Sequence, residues 1–468
     1  MRKFIAAAAL TGCLLTTAAH ADVRLLAIGD FKNTTDRSGL TGNLENGLAA
    51  NVFGGVGSAI AHAGGSTFLF LPDRGPNATP WYSNLDDTTS YISRFHTVDL
   101  TLKASGGALP FTITPILQAT TLLSSPTALT YAAGAAPVQN SAGKYYFSGR
   151  SDNFGAGVST NPLNARFDPE GVRVSNDGNS VFVSDEYGPY VRQFDRRTGA
   201  LIRTYDLPAN LAAPNLSSRG DTEISGNTVG RVANKGMEGL AITPDGKTLV
   251  GIMQAPLAQD ASATPTKKVI RIVTIDIASG TTHEYAYKLT TGSGASEITA
   301  LNDHEFVVDE RDGKGRGDAP GSQAVVKQLF KISLTGATEL TSAMTPTQIA
   351  NAAVGKTLFL DLVPSLSTAL GGNTQVPSKI EGITFGQDVV VGSDTYHTLY
   401  VSNDNDFLPG FAGPSQVYVY GFKDSDLGGL VQQSVAAIPE PGSWAMLFAG
   451  FGLLGAALRK RARKLINT

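Results

Sequence analysis

One unit recurs along this chain and limits what it can fold into. It is a short apolar strand opened by Glu-Gly, a tight turn, and a return strand that ends in acidic or polar residues. Its clearest copy is residues 167–190, FDPEGVRVSNDGNSVFVSDEYGPY. Glu170-Gly171 opens the first strand, and Asn176-Asp177-Gly178 supplies residue types that tolerate positive φ in a turn. Ser180 to Val183 runs back, and Asp185-Glu186 follows. Antiparallel strands of similar length bring their outer ends together, so Glu170, Asp185 and Glu186 converge at one end of the hairpin.

The unit returns at Glu238-Gly239 with a turn at Pro244-Asp245-Gly246. It returns again at Glu297, with Asp309-Glu310-Arg311 on the way back, and at Glu381-Gly382, with Asn403-Asp404-Asn405-Asp406. A degenerate copy around Gly57 ends at Asp73-Arg74 and carries Val56 where the others carry Glu. The Glu-to-Glu spacings from positions 170, 238, 297 and 381 are 68, 59 and 84 residues, room for a four-stranded blade plus loops. Irregular, strand-rich repeats of this size predict an all-β fold, a β-propeller. Five hairpins are readable and residues 337–372 have room for another, so six blades are expected. The inner strand of each blade lines the channel, and a Glu opening each one forms an acidic ring at one mouth. Residues 23–31 read as a strand that closes the ring beside a late strand at 417–422.

The chain of 468 residues carries 37 Lys and Arg against 40 Asp and Glu. Seven of the basic residues lie at the two ends, which leaves the middle at roughly −10. That balance argues against nucleic acid and for bound cations. The single cysteine, Cys13, lies in an N-terminal segment with Arg2-Lys3, an apolar run and Ala19-His20-Ala21 before Asp22. Residues 1–21 therefore read as a signal peptide. Leu10-Thr11-Gly12-Cys13 also resembles a lipoprotein box. Cleavage after Ala21 leaves no cysteine, so neither disulfides nor cysteine catalysis are available to the mature protein. There is no G-x-S-x-G elbow, no phosphate loop and no histidine pair at zinc spacing.

At the other end, Pro439-Glu440-Pro441 precedes an apolar run over 442–458 and the basic tail Arg459-Lys460-Arg461-Ala462-Arg463-Lys464. About 17 apolar residues are just enough for a single membrane-spanning helix, with the basic tail on the cytoplasmic side. Residues 434–468 resemble the PEP-CTERM sorting signal of exported bacterial proteins. The resemblance implies processing by an exosortase-type enzyme near the P-E-P motif and transient anchoring in the inner membrane of a Gram-negative bacterium. It also implies delivery to the cell surface or extracellular matrix.

Between the two ends, residues 22–433 resemble the phytase-like domain family described as "esterase-like activity of phytase". The matching pieces are Asp73-Arg74-Gly75-Pro76, residues 167–190, 234–240, 296–312 and 379–407. That resemblance implies a β-propeller with hydrolase activity on phosphate or other esters.

Like charges in a confined ring raise one another's pKa unless cations neutralise them, and an all-oxygen site suits Ca²⁺. The expected catalytic residues are Glu170, Glu238, Glu381, Arg74 and Arg311. Lys235, Lys379 and Tyr187 are the expected substrate-binding residues, and Asp73, Asp185, Glu186, Glu297, Glu310, Asp404 and Asp406 the expected metal ligands. The reading is a Ca²⁺-dependent hydrolase of small phosphate esters. Its rivals are a non-catalytic Ca²⁺-stabilised propeller that binds exopolysaccharide or protein, and a Ca²⁺-dependent lactonase or carboxylesterase.

Overall fold

The computed structural model describes residues 23–78, 88–261, 264–290 and 292–436. The signal peptide, the lipoprotein box, the P-E-P motif and the predicted membrane span lie outside the described residues. Among the described residues no helix is long and apolar enough to cross a membrane.

Five four-stranded antiparallel sheets follow one another around the ring, where the repeat count predicted six. Blade 1 is Ala59–His62, Thr67–Leu71, Arg94–Asp99 and Ile116–Leu122. Blade 2 is Pro169–Val174, Ser180–Asp185, Tyr190–Asp195 and Leu201–Tyr205. Blade 3 is Met237–Ile242, Thr248–Met253, Val269–Asp276 and Thr282–Lys288. Blade 4 is Gly294–Ala300, Glu305–Arg311, Lys327–Ser333 and Lys356–Asp361. Blade 5 is Ile380–Val391, Asp394–Asn403 and Gln416–Phe422, with the N-terminal strand Arg24–Asp30 as its outer member.

The stretch expected to hide a sixth blade holds two helices instead, Pro346–Asn351 and Leu362–Leu370. Between them lies the outer strand of blade 4. Closure follows the sequence reading. Arg24 pairs with Gly421 and Asp30 with Gln416, so the first strand completes the last blade and covers its edge.

Each gap between blades has its own apolar core, and the two-residue period of the strands fills both gaps beside a sheet. In blade 2, Val181 and Val183 pack toward blade 1 with Leu69 and Phe95, while Phe182 packs toward blade 3 with Leu240 and Met253. Strands buried on both faces therefore read as continuous apolar runs, which is why the repeats stand out in the sequence.

The Glu-Gly pair has a packing reason as well as a chemical one. A Cβ on Gly239 would lie 2.6 Å from the Cα of Glu297, and one on Gly382 would lie 2.8 Å from the backbone nitrogen of Ile60. Neighbouring inner strands come so close that only glycine fits. Gly239→Ala and Gly382→Ala are each expected to destabilise the protein by about 1–3 kcal/mol or more in denaturant unfolding. Gly410→Ala, with nothing within 4 Å of its added Cβ, serves as the neutral control.

Candidate functional site: an acidic channel mouth

The registers of the inner hairpins show how the mouth is built. Ala59, Val172, Leu240, Ile298 and Ile383 pair with Leu71, Val183, Gly251, Val308 and Val401. In blades 2 to 5 the ladder is interrupted within three residues before that pair, at a bulge that re-aims the side chains there. Two residues before the pair stand Gly57, Glu170, Glu238, Ser296 and Glu381. Three residues past it on the return strand stand Arg74, Glu186, Gln254, Arg311 and Asp404. These two tiers form the mouth.

The expected ring of one Glu per repeat is thereby corrected. Blade 1 offers Gly57 in that slot rather than Val56, and blade 4 offers Ser296. Glu297 is shifted by one residue into the slot that Gly171, Gly239 and Gly382 occupy. It turns into the channel, where its Oε1 accepts from the backbone N–H groups of Leu240 (2.8 Å) and Ile298 (3.0 Å). Its Oε2 lies 3.2 Å from the Arg173 guanidinium.

At the mouth, carboxylates outnumber cations. Asp168, Glu170 and Glu186 bring oxygens within 4.8 Å of one another, and so do Asp73, Asp404 and Asp406. The second group contains an internal ammonium: Lys379 Nζ lies 3.0 Å from Asp404 and 2.5 Å from Asp406. The first group has Arg74 at 3.1 Å, on Asp168. Glu238 lies beside it. Gln254 donates to Glu238 Oε1 at 2.6 Å, while Oε2 is buried with no donor. Arg311 binds Glu381, lies 3.8 Å from Glu238, and donates to Ser296 Oγ at 2.5 Å.

The electrostatic consequence is consistent across the cluster. Burial, reinforced by Glu238, pushes Glu170 and Glu186 well above the usual carboxylate range. Burial and Asp404 do the same to Asp73. Burial and the neighbouring Glu381 bring Glu238 to about 7, with Arg311 opposing. Burial raises Asp404 to about 7 against the pull of Lys379. At Asp406 burial acts upward, but Lys379 outweighs it and holds the group below its ordinary value.

The remaining expected residues sit elsewhere. Asp185 caps the turn after its strand, accepting backbone N–H groups of Asp168 (2.8 Å), Tyr187 (3.2 Å) and Gly188 (2.8 Å). Glu310 points to the junction of blades 3 and 4. There it takes N–H groups of Thr290 and Gly292, the Tyr287 hydroxyl and Lys356. Tyr187 is buried beneath the mouth, with the Arg166 guanidinium 3.6 Å from its ring centre. Lys235 is exposed, outside the carboxylate cluster. Sequence reasoning passed over Asp168, Gln254 and Ser296. Asp168 stands two residues before Glu170 and was within reach of inspection. Gln254 and Ser296 become visible only when the blades are aligned by register.

The family models agree with this organisation. Residues 51–407 match the family model described as "Phytase-like: Esterase-like activity of phytase". Residues 437–462 match the PEP-CTERM protein-sorting motif. An uncharacterized secreted protein of Arthroderma benhamiae is 30% identical over 213 residues, 39% of this chain, and the chain spans only 41% of that relative's length. The hydrazine synthase of Kuenenia stuttgartiensis is 13% identical with a TM-score of 0.31, covering 76% of this chain and 78% of its own. The β-propeller domain of Myceliophteria thermophila Cps50 (Swd1) is 11% identical with a TM-score of 0.22, covering 50% of this chain and 51% of its own. These structural likenesses are too distant to carry any argument.

A pH prediction follows from the raised carboxyls. In this window the folded, metal-free protein binds more protons than the unfolded chain, so its stability falls as pH rises. The melting temperature of chelator-treated protein is expected to fall steadily from about pH 5 to pH 8. A scan of melting temperature against pH checks this. The family model spans most of the chain and the sorting motif its C-terminal end: this is a member of the phytase-like, esterase-like family, built as a β-propeller and carrying a PEP-CTERM export signal.

Proposed function

We propose that this protein is an exported, Ca²⁺-dependent hydrolase of phosphate esters, with its site at the acidic mouth. Residues 1–21 act as the leader, 22–433 as the catalytic propeller and 434–468 as the sorting signal. Before processing, the 442–458 segment anchors the chain in the inner membrane. The observation that carries the reading is the asymmetry of the two carboxylate groups. Lys379 binds both Asp404 and Asp406. Asp168, Glu170 and Glu186 have one arginine among three carboxylates, and the undonated Oε2 of Glu238 lies beside them.

All the donors are hard oxygens, which fits Ca²⁺. We assign Asp168, Glu170, Glu186 and Glu238 as its ligands. The bound cation would supply Lewis acidity toward a phosphoryl oxygen and lower the pKa of a water. Burial raises the pKa of both Glu186 and Glu238, so cation binding would displace the protons they hold in the free protein. Lys379, 30% exposed, and Arg311 at the rim are placed to donate to phosphate oxygens. Glu381 holds Arg311 in position. We do not assign Asp185, Glu297, Glu310, Tyr187 or Lys235 to the chemistry, because their positions serve packing or lie outside the cluster.

The test is turnover of p-nitrophenyl phosphate, bis-p-nitrophenyl phosphate and p-nitrophenyl acetate by the purified protein, with Ca²⁺ and with excess chelator. Phosphate-ester turnover that chelator abolishes is expected, and Glu186→Gln or Glu238→Gln should lower it by about 100-fold or more. Chelator-insensitive turnover of the acetate alone would contradict the proposal. The deep burial of Asp168 and Glu186, at 0% and 1%, favours one second reading, a cation that stabilises a non-catalytic binding propeller. In that case the same variants would lower the melting temperature in Ca²⁺, and no ester would turn over.

A further inference from the structure

The chain does not leave the propeller when its last strand ends at Phe422. It crosses the pole opposite the acidic mouth. Gly428 and Gly429 place their carbonyls on Lys331 Nζ (3.1 Å) and Asn302 Nδ2 (3.0 Å) of blade 4. Val431 N–H donates to the Leu301 carbonyl at 2.8 Å. Gln432 reaches the Gly386 carbonyl of blade 5 at 3.0 Å. Gln433 then reaches the Val174 carbonyl of blade 2 at 2.7 Å, and Ala436 N–H donates to the Asn176 carbonyl at 2.9 Å. Between this crossing and the Arg173 side chain lies a small cavity, bounded by Pro244, Thr299 and Leu430.

These contacts fall at the turn ends of the inner strands. Glu170 opens the strand Pro169–Val174 at the mouth, and Asn176, which holds Ala436, follows that same strand at its far end. The sorting motif begins at residue 437, directly after the last anchored residue.

We propose that residues 423–436 are a strap that seals the base of the channel and fixes the sorting motif to the pole opposite the acidic mouth. The protein is then displayed with its base toward the lipid bilayer that receives the C-terminal segment, and with the mouth facing away. The P-E-P motif at 439–441 lies three to five residues past Ala436, so extended chain can carry it only about 10–18 Å from the base. The processing enzyme therefore works against the base of the propeller, and the channel is entered from the mouth side alone. This inference is independent of the hydrolase reading, since neither the strap nor the sorting motif contains a proposed catalytic group.

The test uses the full chain with Cys13 replaced by serine. Spin labels are placed at Ile438→Cys paired with Asn179→Cys at the base, or with Lys235→Cys at the mouth side. The base pair is expected to give a narrow, short distance. The mouth pair should be longer by about 20 Å, the run of a six-residue strand. Equal distances, or one broad distribution for both, would overturn the proposal. Val431→Pro with Gln433→Ala removes three of the anchoring hydrogen bonds, from Val431 N–H to Leu301 and from Gln433 to Val174 and Asn176. It should broaden the base distance and open 429–436 to protease, and an unchanged distribution would show that the strap is not what holds the junction. In proteoliposomes of the full chain, a fluorophore at Asn179→Cys should be quenched by lipid-borne quenchers more strongly than one at Lys235→Cys. Equal or reversed quenching would overturn the orientation.

Discussion

The ring is held at its centre by one buried cation. The slot just past the paired residue of each inner strand holds Ile60, Arg173, Ala241, Thr299 and Thr384, so a single long side chain fills a space that four smaller ones leave open. Arg173 is 4% exposed and donates to the carbonyls of Ile60 (3.0 Å), Val172 (2.6 Å), Ile298 (2.8 Å) and Ile383 (3.3 Å). Those carbonyls belong to blades 1, 2, 4 and 5. Burial draws the guanidinium pKa down, and Glu297 from blade 4 opposes that pull. Removing one partner of such a pair leaves an uncompensated buried charge, a cost of roughly 3–5 kcal/mol. Glu297 thus has a structural explanation that does not involve the mouth. Four of the five inner strands meet closely enough for one arginine to bridge them.

The plug also divides the channel. Above it, bulged strands gather carboxylates and the cations Arg74, Arg311 and Lys379. Below it, the strap closes the base. The upper half is a region of unfinished charge compensation: Glu170, Glu186 and Glu238 cannot all ionise in a buried setting without an added cation. In the neighbouring group Lys379 contacts two of the three aspartates, Asp404 and Asp406. The difference between these two groups, built from the same repeats, separates a proposed ligand site from ordinary ion pairing.

Much of this was legible in the sequence. The Glu-Gly hairpins showed the propeller, because strands buried on both faces leave long apolar runs between turn residues. The N-terminal strand's partner was legible from the need to cover an edge. The blade number was not. A helical excursion before an outer strand, as at Pro346–Asn351, has the length of a missing hairpin pair. The register of blade 4 was also hidden. A bulge offsets pairing by one residue, so Glu297 matched the Glu of other repeats by eye and fell one place short in space. Lys379 was read from its position beside Glu381, yet its pairing with Asp404 and Asp406 depends on the turn after the return strand of blade 5. The strap was invisible, since 423–436 carries neither strand pattern nor motif.

The most direct test of the central claim, that a cation completes the Glu170–Glu186–Glu238 group, is calorimetric titration of Ca²⁺ into chelator-treated protein at pH 6.5 in buffers of different ionisation enthalpy. Carboxyls held protonated by burial must release their protons when the cation binds. The account predicts a saturable site whose apparent heat changes with the buffer, corresponding to release of about one proton or more per cation. Absence of binding, or binding with a heat that is the same in every buffer, would contradict it.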